Sequence, residues 1–358
     1  MVKLEQAASS AARKVTIKHV AAEAGVSLQT VSRVINNGPN VRPEVRERVN
    51  AAVARLGYVP SLAAQRMGGS RSYLLLALND RDRTIEGWRS GEGTDWVDQM
   101  LLGGMLKCAE AGYRMIFELV DTHSAHVERE VKAAIAALHP DGVILTPPHS
   151  DNPLITGLLV DLGLPFARIG STATGAGFSI AMDDYAAAET ATNHLLDLGH
   201  RRIGFISGSP EYALSGARLQ GYRAAMAGRG LADNADLVGH GDFTFASGEA
   251  AMETFCRLAH PPTAVVASND QMALAALRVA GRRGLAVPHD LAIISFDDTP
   301  IVRFSNPPLT AVVQPIAAMA SAAADLLIRA KSGQEDLPQA STPPFQLAVR
   351  ASTVATSD

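Results

Sequence analysis

A short segment near the start of the chain carries side chains that suit DNA recognition. Residues 28–36 are predicted to form a helix that exposes Leu28, Gln29, Arg33 and Asn36. Amide and guanidinium groups form hydrogen bonds with base edges in the major groove, and arginine also binds phosphate. The segment therefore predicts a recognition helix.

The residues around this helix have the spacing of a helix-turn-helix. Ala21 is small where two helices would cross, and Gly25 supplies the backbone freedom of the turn four residues later. Val31 would pack back into the core. An ordinary helical hairpin is the alternative. A third helix is predicted from Pro43, which suits a first helical position, to about residue 56.

The charge of the chain is unevenly distributed. The net charge is −4 over 358 residues, but residues 1–69 carry ten Lys and Arg against four acids, a net +6. The remaining residues carry 22 basic against 32 acidic side chains, a net −10. This asymmetry indicates a small nucleic-acid-binding module joined to an acidic body.

From residue 73 onward, buried apolar runs alternate with amphipathic helices. This alternation predicts parallel sheets covered on both faces, and the length favours two α/β lobes. The predicted strands are 73–78, 114–120, 142–146, 166–169, 179–182, 202–207, 264–267 and 292–296.

Composition excludes several classes of protein. With 47% hydrophobic and 19% charged residues, the chain can bury large cores and is not expected to be disordered. We find no apolar run long enough to cross a membrane and no secretory signal, so we expect a cytoplasmic protein. The two cysteines have no metal-ligand spacing, and phosphate loops and nucleophile elbows are absent. We therefore expect no metal, no cofactor and no enzymatic activity.

Several ordered blocks of the sequence resemble the lactose-repressor family of transcription regulators. These blocks are residues 15–36, 56–61, 198–206, 264–273 and 295–299, and the similarity extends from residue 15 to about residue 350. The resemblance implies a repressor that binds palindromic operator DNA as a homodimer. It also implies a small effector, expected to be a sugar, bound between two lobes. A nucleobase effector and a non-regulatory sugar-binding protein are the alternatives.

The resemblance also implies the domain organisation. We expect an all-α helix-turn-helix headpiece followed by an α/β domain with two doubly wound parallel sheets, similar to periplasmic binding proteins. The predicted bounds are a disordered tail at 1–14, a headpiece at 15–60, a hinge helix or linker at 61–71 and an effector-binding and dimerisation domain at 72–358. Within that domain, one lobe takes about 72–170 and 300–330, and the other takes about 171–299 and 331–358.

The DNA-binding residues are carried over from the family by position. Leu28, Gln29 and Arg33 occupy base-facing positions, and Met67 stands where members wedge a leucine into the minor groove. The full predicted set is Thr16, Ser27, Leu28, Gln29, Thr30, Ser32, Arg33, Asn36 and Met67.

The effector-binding residues follow the ends of predicted strands, where parallel sheets bind ligands. The predicted set is Trp96, Arg168, Arg218, Phe243, Asn269, Asp297 and Gln314. Such groups can bind sugar hydroxyls and cover the apolar face of a sugar ring. Each also has a structural alternative: Asn269 and Asp297 as caps of adjacent backbone, Arg218 as a solvated charge, and the two aromatic rings as core.

Three features depart from the family pattern. Arg168 stands where members carry a sugar-binding aspartate, so it either favours an acidic sugar or pairs with Asp297 or Asp183. Residues 80–93 form a longer connection than usual, either a mobile lid or a solvated surface loop. The residues after Arg350 contain no leucine heptads, so a dimer is expected.

Overall fold

A computed structural model describes residues 15–35, 38, 40–58, 71–91 and 95–354. The chain divides into two compact units, Met1–Ser72 and Tyr73–Asp358. The predicted tail at 1–14 and all but one residue of the predicted hinge at 61–71 lie outside the described residues.

The described residues of the first unit form three helices around a small apolar core. The helices are α1 (Ile17–Ala24), α2 (Leu28–Ile35) and α3 (Pro43–Leu56). Val20, Val31 and Val49, one from each helix, are fully buried in this core. Gly25 has φ of 63°, a left-handed conformation that glycine adopts without strain, and it turns the chain from α1 into α2. The predicted all-α helix-turn-helix headpiece is confirmed.

The described part of the second unit contains two six-stranded sheets. The first is parallel throughout, in the order β11 (Ala340–Ser341), β5 (Phe178–Ile180), β4 (Phe166–Ile169), β3 (Gly142–Leu145), β1 (Leu74–Asp80) and β2 (Arg114–Val120). The second has the order β12 (Gln346–Ala348), β10 (Thr310–Val313), β9 (Ala292–Asp297), β8 (Ala264–Ala267), β6 (Ile203–Ser207) and β7 (Val238–His240). Only β12 of this second sheet runs antiparallel to its neighbour among the described strands.

Helices cover both faces of each sheet, and an apolar cluster fills each interface. In chain order the helices are α4 (Arg81–Ser90), α5 (Asp95–Glu110), α6 (Val127–Leu138), α7 (Pro153–Asp161), α8 (Asp184–Asp197), α9 (Ala213–Gly228), α10 (Phe245–Phe255), α11 (Asp270–Arg282), α12 (Pro300–Arg303) and α13 (Ile316–Lys331). Buried strands with helices on both sides are the expected outcome of their continuous apolar runs. The predicted pair of α/β lobes is confirmed.

The chain passes between the two sheets three times, and the strand pairings correct the predicted lobe bounds. β5 pairs with β4 in the first sheet, whereas the sequence prediction gives residues 171–299 to the second lobe. β10 pairs with β9 in the second sheet, whereas the same prediction gives residues 300–330 to the first lobe. β11 returns to the first sheet by pairing with β5. These strands are two to four residues long, so their sequences carry too little pattern to indicate which sheet they join.

The long connection after β1 is a helix, which neither the lid nor the surface-loop interpretation anticipated. Asp80 caps α4 by accepting a hydrogen bond from the Arg83 backbone N–H at 2.8 Å. The Thr84 hydroxyl donates to the Asp80 carbonyl oxygen at 2.6 Å and accepts from the Asn79 amide at the same distance. α4 is therefore tied to the end of β1. No helix in the described residues has the length and hydrophobicity needed to cross a membrane.

Candidate functional site

Helix α2 presents the predicted base-reading residues on one exposed face. Leu28, Gln29 and Arg33 are exposed, while Val31 and Val34 on the opposite face are buried. The apolar face fixes the helix against α1 and α3, so the polar face is rigidly presented. Asn36 and Met67 lie outside the described residues.

Two hydroxyl side chains of the predicted DNA-binding set, Ser27 and Thr30, also help to start this helix. The Ser27 side chain accepts a hydrogen bond from the Thr30 backbone N–H at 3.1 Å, and the two hydroxyls lie 2.9 Å apart. This is an N-cap, in which a side-chain oxygen satisfies a free backbone donor. Thr16 is exposed, and its backbone N–H donates to Nδ1 of His19 at 3.0 Å. Ser32 is half-buried.

A cleft of about 540 Å³ in the second unit brings together six of the seven predicted effector-binding residues. These are Trp96, Arg218, Phe243, Asn269, Asp297 and Gln314. They come from both lobes and from the β10–α13 crossing, so the carboxyl ends of the parallel strands in the two sheets face each other across the cleft. Its volume lies within the usual range for small-molecule sites.

Arg218 is a buried cation held in a fixed position, not a solvated helix charge. Its Nε donates to the Asp184 carboxylate at 2.7 Å, and Nη1 donates to the Ser268 carbonyl oxygen. The guanidinium carbon lies 4.4 Å from the centre of the Phe296 ring. Burial raises the pKa of Asp184 despite this nearby positive charge. Arg218 therefore meets the cleft as a preorganised hydrogen-bond donor.

Two neighbouring carboxyl groups lie at the ends of β8 and β9. Asp270 accepts hydrogen bonds from the Thr299 N–H at 2.7 Å, the Thr299 hydroxyl at 2.6 Å and the Ser295 hydroxyl. Burial, with the adjacent Asp297 charge, raises the pKa of Asp270 to about 8. Burial also raises the pKa of Asp297 to about 6, although Arg218 and Arg83 oppose it.

The two amide side chains in the cleft differ in their freedom to bind a ligand. Asn269 caps α11 by accepting from the Met272 N–H at 3.0 Å, and it donates to the Phe243 carbonyl oxygen at 2.9 Å. The capping alternative therefore describes this side chain, although the residue also lines the cleft. Gln314 is buried, and no described residue donates to its Oε1. An acceptor in this state is costly unless a donor reaches it.

Each of the two predicted aromatic rings packs in an apolar core and also lines the cleft. Trp96 packs against the apolar cluster of the first sheet and lines the cleft at the start of α5. Phe243 is largely buried and meets the Tyr212 ring edge-on, with centroids 5.2 Å apart. The core alternative and the binding prediction are thus compatible at both positions.

Arg168 does not line this cleft, and the prediction that it could pair with Asp297 or Asp183 is wrong. Its guanidinium lies 3.5 Å from the Asp151 carboxylate and donates to the Ser171 hydroxyl and the Ala173 carbonyl oxygen. It borders a separate surface hollow. Side chains alternate along a strand, and the neighbours Ala167 and Ile169 point into the cluster beneath α13. Arg168 therefore points to the other face of β4.

Sequence reasoning missed the contribution of α4 and the charge of the cleft. Among the described lining residues, two arginines, Arg83 and Arg218, face eight carboxyl groups. These acids are Asp80, Asp82, Glu86, Asp95, Glu211, Asp242, Asp270 and Asp297. The acid-rich run at 80–86 was visible in the sequence, but without the helix it could not be placed at the cleft. Among the described residues, no cluster of His, Cys, Asp or Glu is suited to hold a metal ion.

Comparison with known proteins gives matches along nearly the whole chain. Residues 16–61 match the model for bacterial regulatory proteins of the lacI family, and residues 192–353 match the periplasmic binding protein-like domain. The HTH-type transcriptional regulator CelR of Thermobifida fusca is 35% identical over 332 residues, covering 91% of this chain and 94% of CelR.

Two solved structures have the same architecture. A CelR–cellobiose complex matches with a TM-score of 0.72 and 32% identity, over 94% of this chain and 99% of that one. A Lac repressor dimer bound to operator and the anti-inducer ONPF matches with a TM-score of 0.76 and 25% identity, over 96% and 100% of the two chains.

Proposed function

The chain belongs to the lacI family of bacterial regulatory proteins, and on this premise we propose that it is an operator-binding repressor controlled by an uncharged carbohydrate. The observation that carries the proposal is the cleft, where fixed donors and acceptors meet aromatic rings between two lobes. The helix-turn-helix headpiece distinguishes such a regulator from a sugar-binding protein without a regulatory role.

The exposed face of α2 supports the DNA-binding part of the proposal. Gln29 and Arg33 can reach base edges in the major groove, and Leu28, which is 44% exposed, suits contact with a thymine methyl group. Asn36 and Met67 remain proposed contacts to base edges and to the minor groove. Ser27, Thr30 and Ser32 are proposed phosphate contacts, with the Ser27 hydroxyl shared with its cap. Thr16 remains a proposed DNA-binding residue.

The balance of charge in the cleft supports an uncharged ligand. Carboxyl groups outnumber arginines among the described lining residues, and even with Asp270 protonated at neutral pH the remaining acids would repel an acidic sugar. Each arginine already has partners inside the protein. Asp297 and Gln314 Oε1 are acceptors, which suit the hydroxyl donors of a carbohydrate. The relative CelR has been solved with cellobiose, a neutral disaccharide.

We also propose that the protein acts as a homodimer on a palindromic site. Leu102, Met105 and Leu106 lie three and four positions apart on α5, and each is about half exposed. An exposed apolar stripe of this kind suits a second copy of the chain. The Lac repressor with the same architecture has been solved as a dimer on its operator.

A ligand panel tests the effector class. Thermal melting of the full chain with cellobiose, lactose, galactose, gluconate and adenine should show a rise for a neutral saccharide of roughly 3 °C or more near saturation. Gluconate should give the smallest shift of the sugars. A rise with adenine alone would replace the carbohydrate by a nucleobase, and a rise with gluconate alone would contradict the charge argument. Operator binding measured with the same ligand then shows whether it releases or promotes DNA binding.

A further inference from the structure

Arg83 connects the two lobes across the cleft. It lies on α4, which packs against the first sheet, but its Nη1 donates to the Asp242 carbonyl oxygen of the second lobe at 2.9 Å. Its guanidinium carbon lies 5.0 Å from the centre of the Phe243 ring and 5.7 Å from that of Tyr212. These distances are within the range of cation–π attraction.

The backbone beneath Arg83 is held firmly, so the side chain is aimed at the opposite lobe. Asp80, whose carboxylate caps α4, also accepts a hydrogen bond from the Thr122 hydroxyl at 3.0 Å. That hydroxyl lies 2.8 Å from Nε2 of His149, which is fully buried. Two connections after strands of the first sheet therefore fix the first turn of α4.

We propose that Arg83 links the two lobes in the absence of ligand and competes with the ligand, because its guanidinium occupies the aromatic surface that a sugar ring would use. Phe243 and Tyr212 are the aromatic pair on the second lobe's side of the cleft, and Arg83 lies over both rings. A ligand that stacks on Phe243 must displace the guanidinium and with it the hydrogen bond to Asp242. Ligand binding would therefore also break the hydrogen bond by which Arg83 links the two lobes. This inference rests on the proposed effector cleft. It identifies Arg83 as the residue through which a ligand in the cleft changes the position of one lobe relative to the other.

The competing role, in which Arg83 itself binds the ligand, predicts the opposite change in affinity. If Arg83 competes with the ligand, Arg83→Ala should lower the Kd for the effector about threefold to tenfold, the range that corresponds to one cation–π contact. If Arg83 is a ligand donor, the same change should raise the Kd. Arg83→Lys keeps the positive charge but loses the planar guanidinium. If Arg83 competes with the ligand, the Kd of Arg83→Lys should therefore lie between the Kd values of the wild type and of Arg83→Ala.

A ligand-free measurement tests the link between the lobes. The chain has two tryptophans, and Trp88→Phe leaves Trp96, which lines the cleft, as the single tryptophan. In this background Arg83→Ala should increase the quenching of Trp96 by acrylamide, because the cleft opens more often. Arg89→Ala, an exposed arginine on the same helix, serves as the matched control and should leave quenching unchanged.

Cellobiose titration of the same proteins, followed by calorimetry, completes the test. Stronger binding and increased quenching in Arg83→Ala support the proposal, provided that circular dichroism shows α4 and the fold intact. Equal quenching in Arg83→Ala and Arg89→Ala overturns it, as does weaker cellobiose binding by Arg83→Ala. If cellobiose binds to none of the proteins, the titration is repeated with the saccharide that raises the melting temperature in the panel, and quenching still decides whether Arg83 links the lobes.

Discussion

At the scale of residues, Asp297 and Asp270 make the stability of the fold depend on pH. Both side chains have a pKa above that of an unfolded aspartate, mainly because of burial, at about 6 for Asp297 and about 8 for Asp270. An acid whose folded pKa is raised stabilises the fold most when it is protonated. Stability should therefore be greatest below about pH 4 for these two groups and decline as the pH rises through 6 and towards 8.

Asp297→Asn should remove part of this decline. The amide cannot ionise, so the free energy of unfolding at pH 8 should rise relative to wild type, on the order of 1 kcal/mol, with little change near pH 4. Urea unfolding at pH 4, 6 and 8 measures this. Effector binding should weaken in the same variant because a charged acceptor is lost. Asp161→Asn, an exposed aspartate at the end of α7, is the control and should leave the pH profile unchanged.

Arg33 belongs to the same scale because a single guanidinium can distinguish one base pair. Arg33→Ala should weaken operator binding by roughly 1–3 kcal/mol and relax the preference at one position of each half-site. Arg48→Ala, an exposed change on α3, should leave base preference intact even if it weakens all sites equally. Titrations of single-base operator variants compare the two. Unchanged base preference in Arg33→Ala would rule out direct readout by this residue.

At the scale of elements, close helix contacts depend on particular glycines. A Cβ at Gly221 of α9 would lie 2.1 Å from the carbonyl oxygen of Tyr185 on α8, whereas a Cβ at Gly216 of the same helix meets nothing within 4 Å. Gly221→Ala should therefore destabilise the protein, by about 1–3 kcal/mol or more, because backbone must move. Gly216→Ala should be neutral or stabilise it by up to about 1 kcal/mol. Chemical unfolding of both variants tests the α8–α9 contact, and equal effects would contradict it.

The sequence predicts elements well where an apolar run stands between clear turn signals, and it misses elements whose anchors are distant in the chain. β8 was predicted with its observed bounds because four apolar residues stand between clear turns. Helix α4 was missed because its first turn, Arg81-Asp82-Arg83, is charged and its anchors are hydrogen bonds from distant residues. The family position predicts Arg168 in the cleft, but side chains alternate between the two faces of β4, and Arg168 lies on the face opposite to Ala167 and Ile169. Long-range contacts of this kind leave no local pattern.

At the scale of the whole molecule, the exposed stripe on α5 predicts how the active protein assembles. Leu106→Glu would place a charge within the proposed dimer contact and should shift the protein towards monomer, with a corresponding loss of operator affinity. Leu154→Glu is the matched control, since Leu154 is 55% exposed, close to the 57% of Leu106, but lies on α7. Sedimentation at several concentrations distinguishes them. Monomer formation by both variants, or by neither, would place the dimer contact elsewhere.

The three chain crossings give the second unit the mechanics of a lever. The crossings follow β5, β10 and β11, and each of these is one of the two strands at the same end of its sheet, so we expect this edge to act as the pivot. The opposite edge, at β2 and β7, lies five strand spacings away, roughly 24 Å. A rotation of the lobe by about 10° around the pivot would then move that edge by about 4 Å, as calculated from the distance between the edges. Asp242 follows β7, so the Arg83 hydrogen bond acts at the long end of the lever, where a small force produces the largest torque on the pivot.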